Sequence, residues 1–339
     1  MNSRPIAIGE PLVPGPLRDF VQTSVRRACG GRAVAEIHRK PSDYHSSFPL
    51  DELSVRLVDG SQLTLIFKDV GPDVLSGSAK DAKPGFLFDS RREVEVYRKI
   101  LPADQRFGPK LFGAVTDPSL GCYWLLLEKV RGIELYQVGE LELWKSVVRR
   151  LAEMHRKLGP VSNDLAESAH LLRYDAAYFR RWPQRAQSFV GSSLSGAAAD
   201  TFRRVVDRYD QVIDTLDALP TTFVHGEFYA SNVLLERAGS ATRVTAVDWE
   251  MAGMGSGLID LAAIMSGAWT GDQRLEMALV YYDAIGSDLG TMSVAEFFHA
   301  LDCCRLHIAM QWLGWSQNWR PPAGHAHDWL GDILEIAAQ

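Results

Sequence analysis

The 339-residue chain is poor in cysteine, with only Cys29, Cys122, Cys303 and Cys304. These residues form no Cys-x-x-Cys pair and no metal-ligand spacing, so free thiols in a reducing compartment are expected. No apolar run approaches the roughly 20 residues that a membrane-spanning helix requires. The amino terminus also lacks the apolar segment of a secretory signal. We therefore expect a soluble, cytoplasmic protein without a membrane partner.

The chain also lacks a strong excess of either charge. A net charge of −6 gives no reason to expect a nucleic acid or an anionic membrane as partner. No internal repeat or low-complexity segment is present. The apolar content of 46% over this length favours a sizeable core divided between two lobes. The oligomeric state is left open.

The spacing of apolar residues changes near residue 130. Before it, "LSVRLVDGSQLTLIFKDV" alternates apolar and polar residues around Asp59-Gly60, which predicts a β-hairpin. "DSRREVEVYRKIL" predicts a helix with Val94, Tyr97 and Leu101 on one face, and "GCYWLLLEKV" predicts a buried strand. After it, "LWKSVVRRLAEMHRKLG" and "AAADTFRRVVDRYDQVIDTLDAL" predict amphipathic helices.

One polar loop interrupts the helical half of the chain. In "FVHGEFYASNVLL", His225, Glu227 and Asn232 lie between two segments that both read as buried strands. "AVDWEMAGMGSGLIDLA" follows after one hairpin-like connection and contributes Asp248 and Asp260. A lone His-x-Glu or Asp-Trp-Glu is weak evidence, but the ordered combination is specific.

These two segments resemble the catalytic and metal-binding loops of the aminoglycoside phosphotransferase and choline kinase family, which has a protein-kinase-like fold. The order of hairpin, Lys68, helix with Glu93 and hinge strand also fits, so the resemblance covers most of the chain. It implies a two-lobed α+β fold. Residues 1–130 would form a nucleotide-binding N-lobe, a small antiparallel sheet with one inserted helix. Residues 131–339 would form a larger, mainly helical C-lobe with the catalytic and metal loops and acceptor-binding helices.

The resemblance implies phosphoryl transfer from ATP with Mg²⁺, a reaction that depends on positioning and on neutralising phosphate charge. Mg²⁺ prefers oxygen ligands, which Asn232 and Asp248 would supply. Glu227 would orient the acceptor hydroxyl and take its proton. His225 would hold the loop by hydrogen bonds, and Asp260 would brace it.

The remaining implied roles lie near the nucleotide. Lys68 would contact the α- and β-phosphates and pair with Glu93 on the inserted helix. Backbone groups near Glu128 and Val130 would bind the adenine edge. The alternative for Lys68 and Glu93 is an ordinary surface ion pair without a role in nucleotide binding. The choice between ATP and GTP is left open.

Two features depart from the family. Glu227 stands where the family almost always has Asp, and the extra methylene moves the carboxylate by about 1.5 Å. Such a displacement can cost about a hundredfold in rate. The loop at residues 41–50, in the place of the nucleotide-covering loop, contains no glycine. Ser42, Ser46 and Ser47 are its candidate phosphate donors.

The acceptor is the least determined part of this prediction. Residues 221–339 hold 14 acidic against 5 basic residues, whereas residues 1–220 hold 28 against 31. This asymmetry slightly favours a cationic acceptor with a hydroxyl group, such as an amino sugar, an aminoglycoside or a choline-like amine, with the amino-sugar-like class preferred. The alternative is a nucleotide-binding pseudokinase with a regulatory or scaffolding role, in which Glu227 no longer supports turnover.

Other motifs favour structural readings. His325 and His327 lack a third metal ligand nearby in sequence, so a surface turn is expected. The glycines of "GMGSG" fit a turn that leads to the Asp260 helix better than a phosphate loop. Trp312, Trp315 and Trp319 recur at near-helical spacing and predict a packed face, with an acceptor-wall role left open.

Overall fold

A computed structural model describes residues 15–42, 47–75, 77–190, 193–238, 241–317 and 327–338. By their contacts, the described residues within 1–79 and 108–131 form one compact unit, and those within 80–107 and 132–339 form a second. The sequence assigned the helix around Glu93 to the N-lobe, but its contacts group it with the second unit. Among the described residues, no helix is both long and apolar enough to cross a membrane.

The elements of the first half are, in chain order, α1 (Gly15–Ala28), β1 (Val34–Pro41), β2 (Leu50–Leu57), β3 (Gln62–Asp69), α2 (Gly77–Ala82), α3 (Ser90–Glu95), β4 (Leu111–Asp117) and β5 (Cys122–Glu128). The strands form one antiparallel sheet in the order β1-β2-β3-β5-β4. The predicted hairpin is confirmed, with Leu53 opposite Leu65. Gly60 occupies its turn at a φ of 84°.

The core of the first unit lies between α1 and this sheet. Leu17, Val21 and Val25 of α1 pack against a buried strand surface that includes Leu53 and Leu65. The helix ends before Gly30 and Gly31, which adopt positive φ angles of 65° and 86°. The alternation read from the sequence therefore gave the correct buried face of the sheet.

The elements of the second half are β6 (Ile133–Glu134), α4 (Leu141–Leu165), β7 (Leu172–Arg173), α5 (Ala176–Phe179), α6 (Arg181–Val190), α7 (Gly196–Asp207), α8 (Tyr209–Asp217), β8 (Thr222–Val224), β9 (Val233–Ala238), β10 (Ala241–Ala246), β11 (Gly253–Gly255), α9 (Leu258–Ile264), α10 (Gly271–Ile285), α11 (Val294–Leu313) and α12 (Trp329–Ile336). The short strands form two small sheets, ordered β10-β9-β6 and β7-β11-β8. Helices dominate the rest, as the sequence predicted.

Two predicted helices differ in detail from those observed. After α3 the chain continues as a π-helical turn over Val96–Ile100 and a 3-10 turn over Leu101–Ala103. Pro102 lies in that last turn, and its ring cannot continue a regular helix. The single helix expected from residue 197 to 219 is broken at Arg208, whose φ and ψ are −103° and 6°.

Candidate active site

The polar loop at residues 225–232 begins directly after β8. Its first two backbone N–H groups, of His225 and Gly226, donate to the two carboxylate oxygens of Asp260 at 2.7 and 2.8 Å. Asp260 lies in the first turn of α9 and is fully buried. A carboxylate that accepts two backbone N–H bonds fixes both donors. Asp260 therefore braces the loop.

A histidine from α4 completes the environment of Asp260. His155 Nε2 lies 3.1 Å from Asp260 Oδ2, and His155 Nδ1 lies 2.7 Å from the Tyr281 hydroxyl oxygen. All three side chains are buried, so these hydrogen bonds take the place of the bonds that each group would form with water in the unfolded chain. The brace thus joins α4, α9 and α10.

His225 has a structural position in the loop. Its Nε2 lies 2.9 Å from the Val247 carbonyl oxygen, and its Nδ1 accepts the N–H of Glu227 at 3.3 Å. A carbonyl can only accept, so Nε2 carries the proton and Nδ1 is the unprotonated nitrogen. His225 consequently ties the loop to the segment before Asp248 and does not serve as a proton acceptor for a substrate.

Gly226 is required by its surroundings. Its φ is +82°, and a Cβ there would lie 2.1 Å from the Tyr174 hydroxyl and 2.3 Å from the Met251 carbonyl oxygen. The Tyr174 hydroxyl donates to that same carbonyl at 2.7 Å. The close approach of three chain segments at this point leaves space for glycine alone.

Glu227 is half-buried and lines a cavity of about 610 Å³. Its backbone carbonyl accepts the N–H of Tyr229 at 2.7 Å and the side-chain amide of Asn232 at 2.9 Å. Burial raises the pKa of Tyr174 and Tyr178, and the nearby Glu227 charge acts in the same direction. Both tyrosines therefore stay protonated at neutral pH near a carboxylate that lines the cavity.

Asn232 and Asp248 occupy the same end of the β9–β10 hairpin. Val233 pairs with Ala246, and the Val247 N–H donates to the Asn232 carbonyl at 2.9 Å. Asn232 thus precedes the first strand, and Asp248 follows the second. The side-chain nitrogen of Asn232 donates a hydrogen bond to the Glu227 carbonyl. The other polar atom of that side chain is an oxygen, the ligand type that Mg²⁺ prefers.

The backbone of Asp248 is strained. It adopts φ 66° and ψ 67°, in the left-handed region that non-glycine residues rarely enter. Such conformations cost about 1–3 kcal/mol and persist where the surroundings enforce them. Among the described residues, no cluster of three or more His, Cys, Asp or Glu side chains gathers as a metal site. The donor set nevertheless fits Mg²⁺, which protein sites bind through one or two carboxylates together with substrate phosphates.

Trp249 and Glu250, the two residues after Asp248, are bonded to residues of α3 and of the segment before it. The Trp249 N–H donates to Glu93 Oε1 at 3.3 Å, and Arg92 Nη1 donates to the Glu250 carbonyl at 2.7 Å. The Lys83 ammonium forms an ion pair with the Glu250 carboxylate, and both side chains are largely buried. The sequence did not anticipate this attachment, because it links residues more than 150 positions apart.

Aromatic rings form a large part of the lining of the cavity beside Glu227. They come from separate stretches of the chain and include Tyr136, Trp144, Tyr229, Trp269, Trp312 and Trp329. The open prediction that Trp312 belongs to a cavity wall agrees with its position, whereas Trp315 is buried and stacks on Trp182 at 6.0 Å. His327 also lines the cavity and lies 2.7 Å from an Asp332 oxygen. Trp319 and His325 lie outside the described residues.

The sequence profile of the phosphotransferase enzyme family matches residues 55–298, more than half of the chain. The chain belongs to this family. The suspected resemblance is thereby confirmed, and the protein is a kinase-type phosphotransferase. No curated protein matches the chain by sequence.

Several solved structures share the fold of this chain. The GDP complex of aminoglycoside 2′-phosphotransferase-IIIa has a TM-score of 0.59 at 13% identity, covering 93% of this chain and 95% of its own. A microcompartment-associated aminopropanol kinase gives 0.56 at 14%, covering 93% and 94%. An ethanolamine kinase from Plasmodium vivax gives 0.58 at 10%, covering 89% and 82%. At these identities the likeness establishes the kinase-like fold.

The phosphotransferase's first unit contains the other predicted residues. Lys68 is 3% exposed on β3, and its Nζ lies 5.6 Å from the centre of the Phe48 ring. A lysine so deeply buried is unlike a member of the ordinary surface ion pair considered as the alternative. Its proposed contacts with phosphates and its pairing with Glu93 stay predictions.

The hinge strand and the glycine-free loop lie in the same unit. The Glu128 N–H donates to the Lys110 carbonyl at 2.9 Å, and Val130 is buried. Their backbone contacts with a nucleotide base stay predictions. Ser42 donates its N–H to the Leu50 carbonyl at 2.8 Å, so the loop connects the paired strands β1 and β2. Ser46 lies outside the described residues.

Proposed function

We propose that this phosphotransferase moves the γ-phosphoryl group of ATP, with Mg²⁺, to a hydroxyl group of a small molecule. The observation that carries the proposal is the grouping of Glu227, Asn232 and Asp248. One hydrogen-bonded loop and one hairpin end hold all three, and Glu227 and Asn232 line the same cavity.

The proposed mechanism assigns a separate task to each group. Asn232 and Asp248 would hold Mg²⁺, which supplies neutralisation of phosphate charge when it is bound. Glu227 would accept a hydrogen bond from the acceptor hydroxyl, align its oxygen for attack and take its proton. The brace from Asp260 would keep the Glu227 backbone fixed, because His225 and Gly226 cannot move while both oxygens hold them.

The nucleotide and the acceptor are proposed only as classes. ATP is the proposed donor, and GTP is the competitor to test, since the aminoglycoside phosphotransferase neighbour is a GDP complex. The acidic second half slightly favoured an amino-sugar-like acceptor on charge alone. That preference rests on the net charge of residues 221–339 as a whole, whereas the acceptor would contact only the residues that line the cavity.

The test is a product screen with isotopically labelled ATP, Mg²⁺ and a panel of hydroxylated amines, sugars and ring alcohols, read by mass spectrometry. Glu227→Gln should lower transfer by about a hundredfold to ten-thousandfold while nucleotide binding persists. Glu227→Asp should give a smaller loss, because the shorter carboxylate is misplaced but still basic. Asp248→Asn should weaken Mg²⁺-dependent nucleotide binding itself.

Glu142→Gln is the matched control, since that carboxylate is 76% exposed on α4 and is not among the residues that line the cavity. It should leave both activities unchanged. The specific observation that favours a second function is Glu227 in place of Asp. Mg²⁺-dependent nucleotide binding without transfer to any acceptor, together with no effect of Glu227→Gln, would favour the pseudokinase instead.

A further inference from the structure

The cavity beside Glu227 carries little charge. Among the described residues that line it, Glu227 is the only carboxylate, and no lysine or arginine is present. Its volume of about 610 Å³ falls within the range of about 300–1,000 Å³ that is usual for small-molecule sites. Small side chains, among them Ala263, Gly267 and Ala268, leave room between the rings.

The aromatic lining is arranged in contacting pairs. Trp312 and Trp329 are stacked, with ring centres 5.8 Å apart and planes inclined by 12°. Trp144 and Trp269 meet edge to face at 4.7 Å and 74°. Both pairs line the one cavity, although the first comes from α11 and α12 and the second from α4 and the segment before α10.

The polar atoms of two of these rings are already used by the protein. The Trp312 indole donates to the Tyr229 hydroxyl at 2.6 Å, and the Trp144 indole donates to the Val138 carbonyl at 2.7 Å. These bonds hold the rings in place before any ligand arrives. What the rings offer to a ligand is consequently their apolar carbon surface.

We propose, on the basis of the function above, that the acceptor is an alcohol on a flat, largely apolar ring system that carries at most one positive charge. Its hydroxyl lies at Glu227 and its ring lies against the tryptophans. A flat ring gains dispersion and stacking contacts on indole faces. A polycation must instead leave water with charges that one carboxylate cannot balance.

The experiment compares three acceptors with the whole protein, ATP and Mg²⁺. Naphthylethanol has a flat ring, decahydronaphthylethanol has the same carbon skeleton without flatness, and kanamycin is a polycationic amino sugar. We expect kcat/KM to be highest for naphthylethanol and lower for its saturated analogue by roughly two- to tenfold, the value of aromatic contacts. Kanamycin should be the poorest acceptor.

Two variants at one position test the cause. Trp329→Leu removes the ring and should abolish the preference for the flat alcohol over the saturated one. Trp329→Phe keeps an aromatic face and should retain the preference. A higher kcat/KM for kanamycin, equal values for the two ring alcohols, or the same preference in both variants would overturn the inference.

Binding measurements separate this inference from the proposed function. Calorimetry with each alcohol, in the presence of the non-hydrolysable analogue of ATP and Mg²⁺, reports the cavity without any chemistry. Tighter binding of the flat alcohol with no phosphorylated product would support a flat-ring ligand for the cavity and contradict the transferase. Product formation from kanamycin alone would support the transferase and contradict the acceptor class.

Discussion

The loop at residues 225–232 and the aromatic wall of the cavity next to it are built in different ways. The loop is held by buried hydrogen bonds to one carboxylate, that of Asp260, and by both nitrogens of His225. The wall is held by ring contacts and by single indole hydrogen bonds. One region depends on a charge and the other on packing.

This difference separates what the two regions do. Hydrogen bonds to a buried charge have narrow geometry and fix the position of Glu227, which phosphoryl transfer requires. Ring contacts tolerate a change of partner, provided that the surface stays apolar and flat. We therefore expect substitutions in the loop to affect stability and turnover, and substitutions in the wall to affect acceptor binding.

The largest effect is expected for Asp260→Asn. An asparagine offers one acceptor oxygen for two backbone N–H groups, and its own NH₂ group faces the second one. We expect about 4 kcal/mol of lost stability, measured by urea unfolding, together with loss of transfer. Asp283→Asn, on the exposed side of α10, is the control and should change stability by less than about 0.5 kcal/mol. Equal stability of the two variants would contradict the charged brace.

Gly226→Ala should cost somewhat less, about 3 kcal/mol, because the methyl group adds backbone strain at φ +82° to a collision with the Met251 carbonyl. Gly196→Ala is the matched control. Gly196 also has a positive φ, +61°, but nothing lies within 4 Å of its Cβ position. It should lose only about 1 kcal/mol, from strain alone. Similar losses in both variants, compared by thermal unfolding, would show that the close approach is unimportant.

The loop was predictable from sequence because its key residues lie close together in the chain. His225, Glu227 and Asn232 fall within one quoted segment, and Asp248 and Asp260 follow in a fixed order. The same short spacing places Asn232 and Asp248 at one hairpin end. The positions of these site residues therefore follow mostly from the local geometry of one loop and one hairpin.

The partners of these residues were missed because tertiary packing supplies them. His155 reaches Asp260 from α4, and Arg92 and Lys83 reach Glu250 from a distant segment. A usable signal existed for His155: it shares an apolar helical face with Trp144 and Leu151, so a buried position could have been inferred. No comparable pattern joins Trp144 to Trp269.

A buried histidine on the helix that carries Trp312 should make stability depend on pH. Burial lowers the pKa of His307 from 6.5 to about 3. The unfolded chain therefore takes up the proton first as pH falls, so stability is retained above about pH 6.5 and lost progressively toward pH 3. Between pH 7 and pH 5 this group should account for about 2 kcal/mol.

His307→Phe removes the titrating group and tests this value. The variant should lose less stability than the parent between pH 7 and pH 5, by about 2 kcal/mol in urea unfolding. The comparison uses each protein's own change with pH, so a lower absolute stability of the variant does not affect it. NMR titration of the parent provides a second measurement. Identical pH dependence in the two proteins would contradict a neutral, buried His307.

The smallest effect is expected for Tyr229→Phe. Tyr229 belongs to the loop by its backbone, but its side chain lines the cavity and therefore belongs to the wall. The ring remains, but the hydroxyl that accepts the Trp312 indole N–H at 2.6 Å is lost. We expect about 1 kcal/mol of lost stability and a KM for the acceptor that rises several-fold, with kcat nearly unchanged. The reason is that Trp312 loses the hydrogen bond that orients its indole, whereas the backbone bond from Tyr229 to Glu227 is kept.

Tyr282→Phe provides the matched control for that variant. The Tyr282 hydroxyl donates to the Met292 carbonyl at 3.0 Å and does not line the cavity. Its loss should cost a similar amount of stability without changing the KM, because no ring of the wall depends on it. An equal rise in KM for both variants would mean that acceptor binding follows general stability. A fall in kcat for Tyr229→Phe alone would instead mean that the wall helps to position Glu227, and the division between a positioning loop and a binding wall would no longer hold.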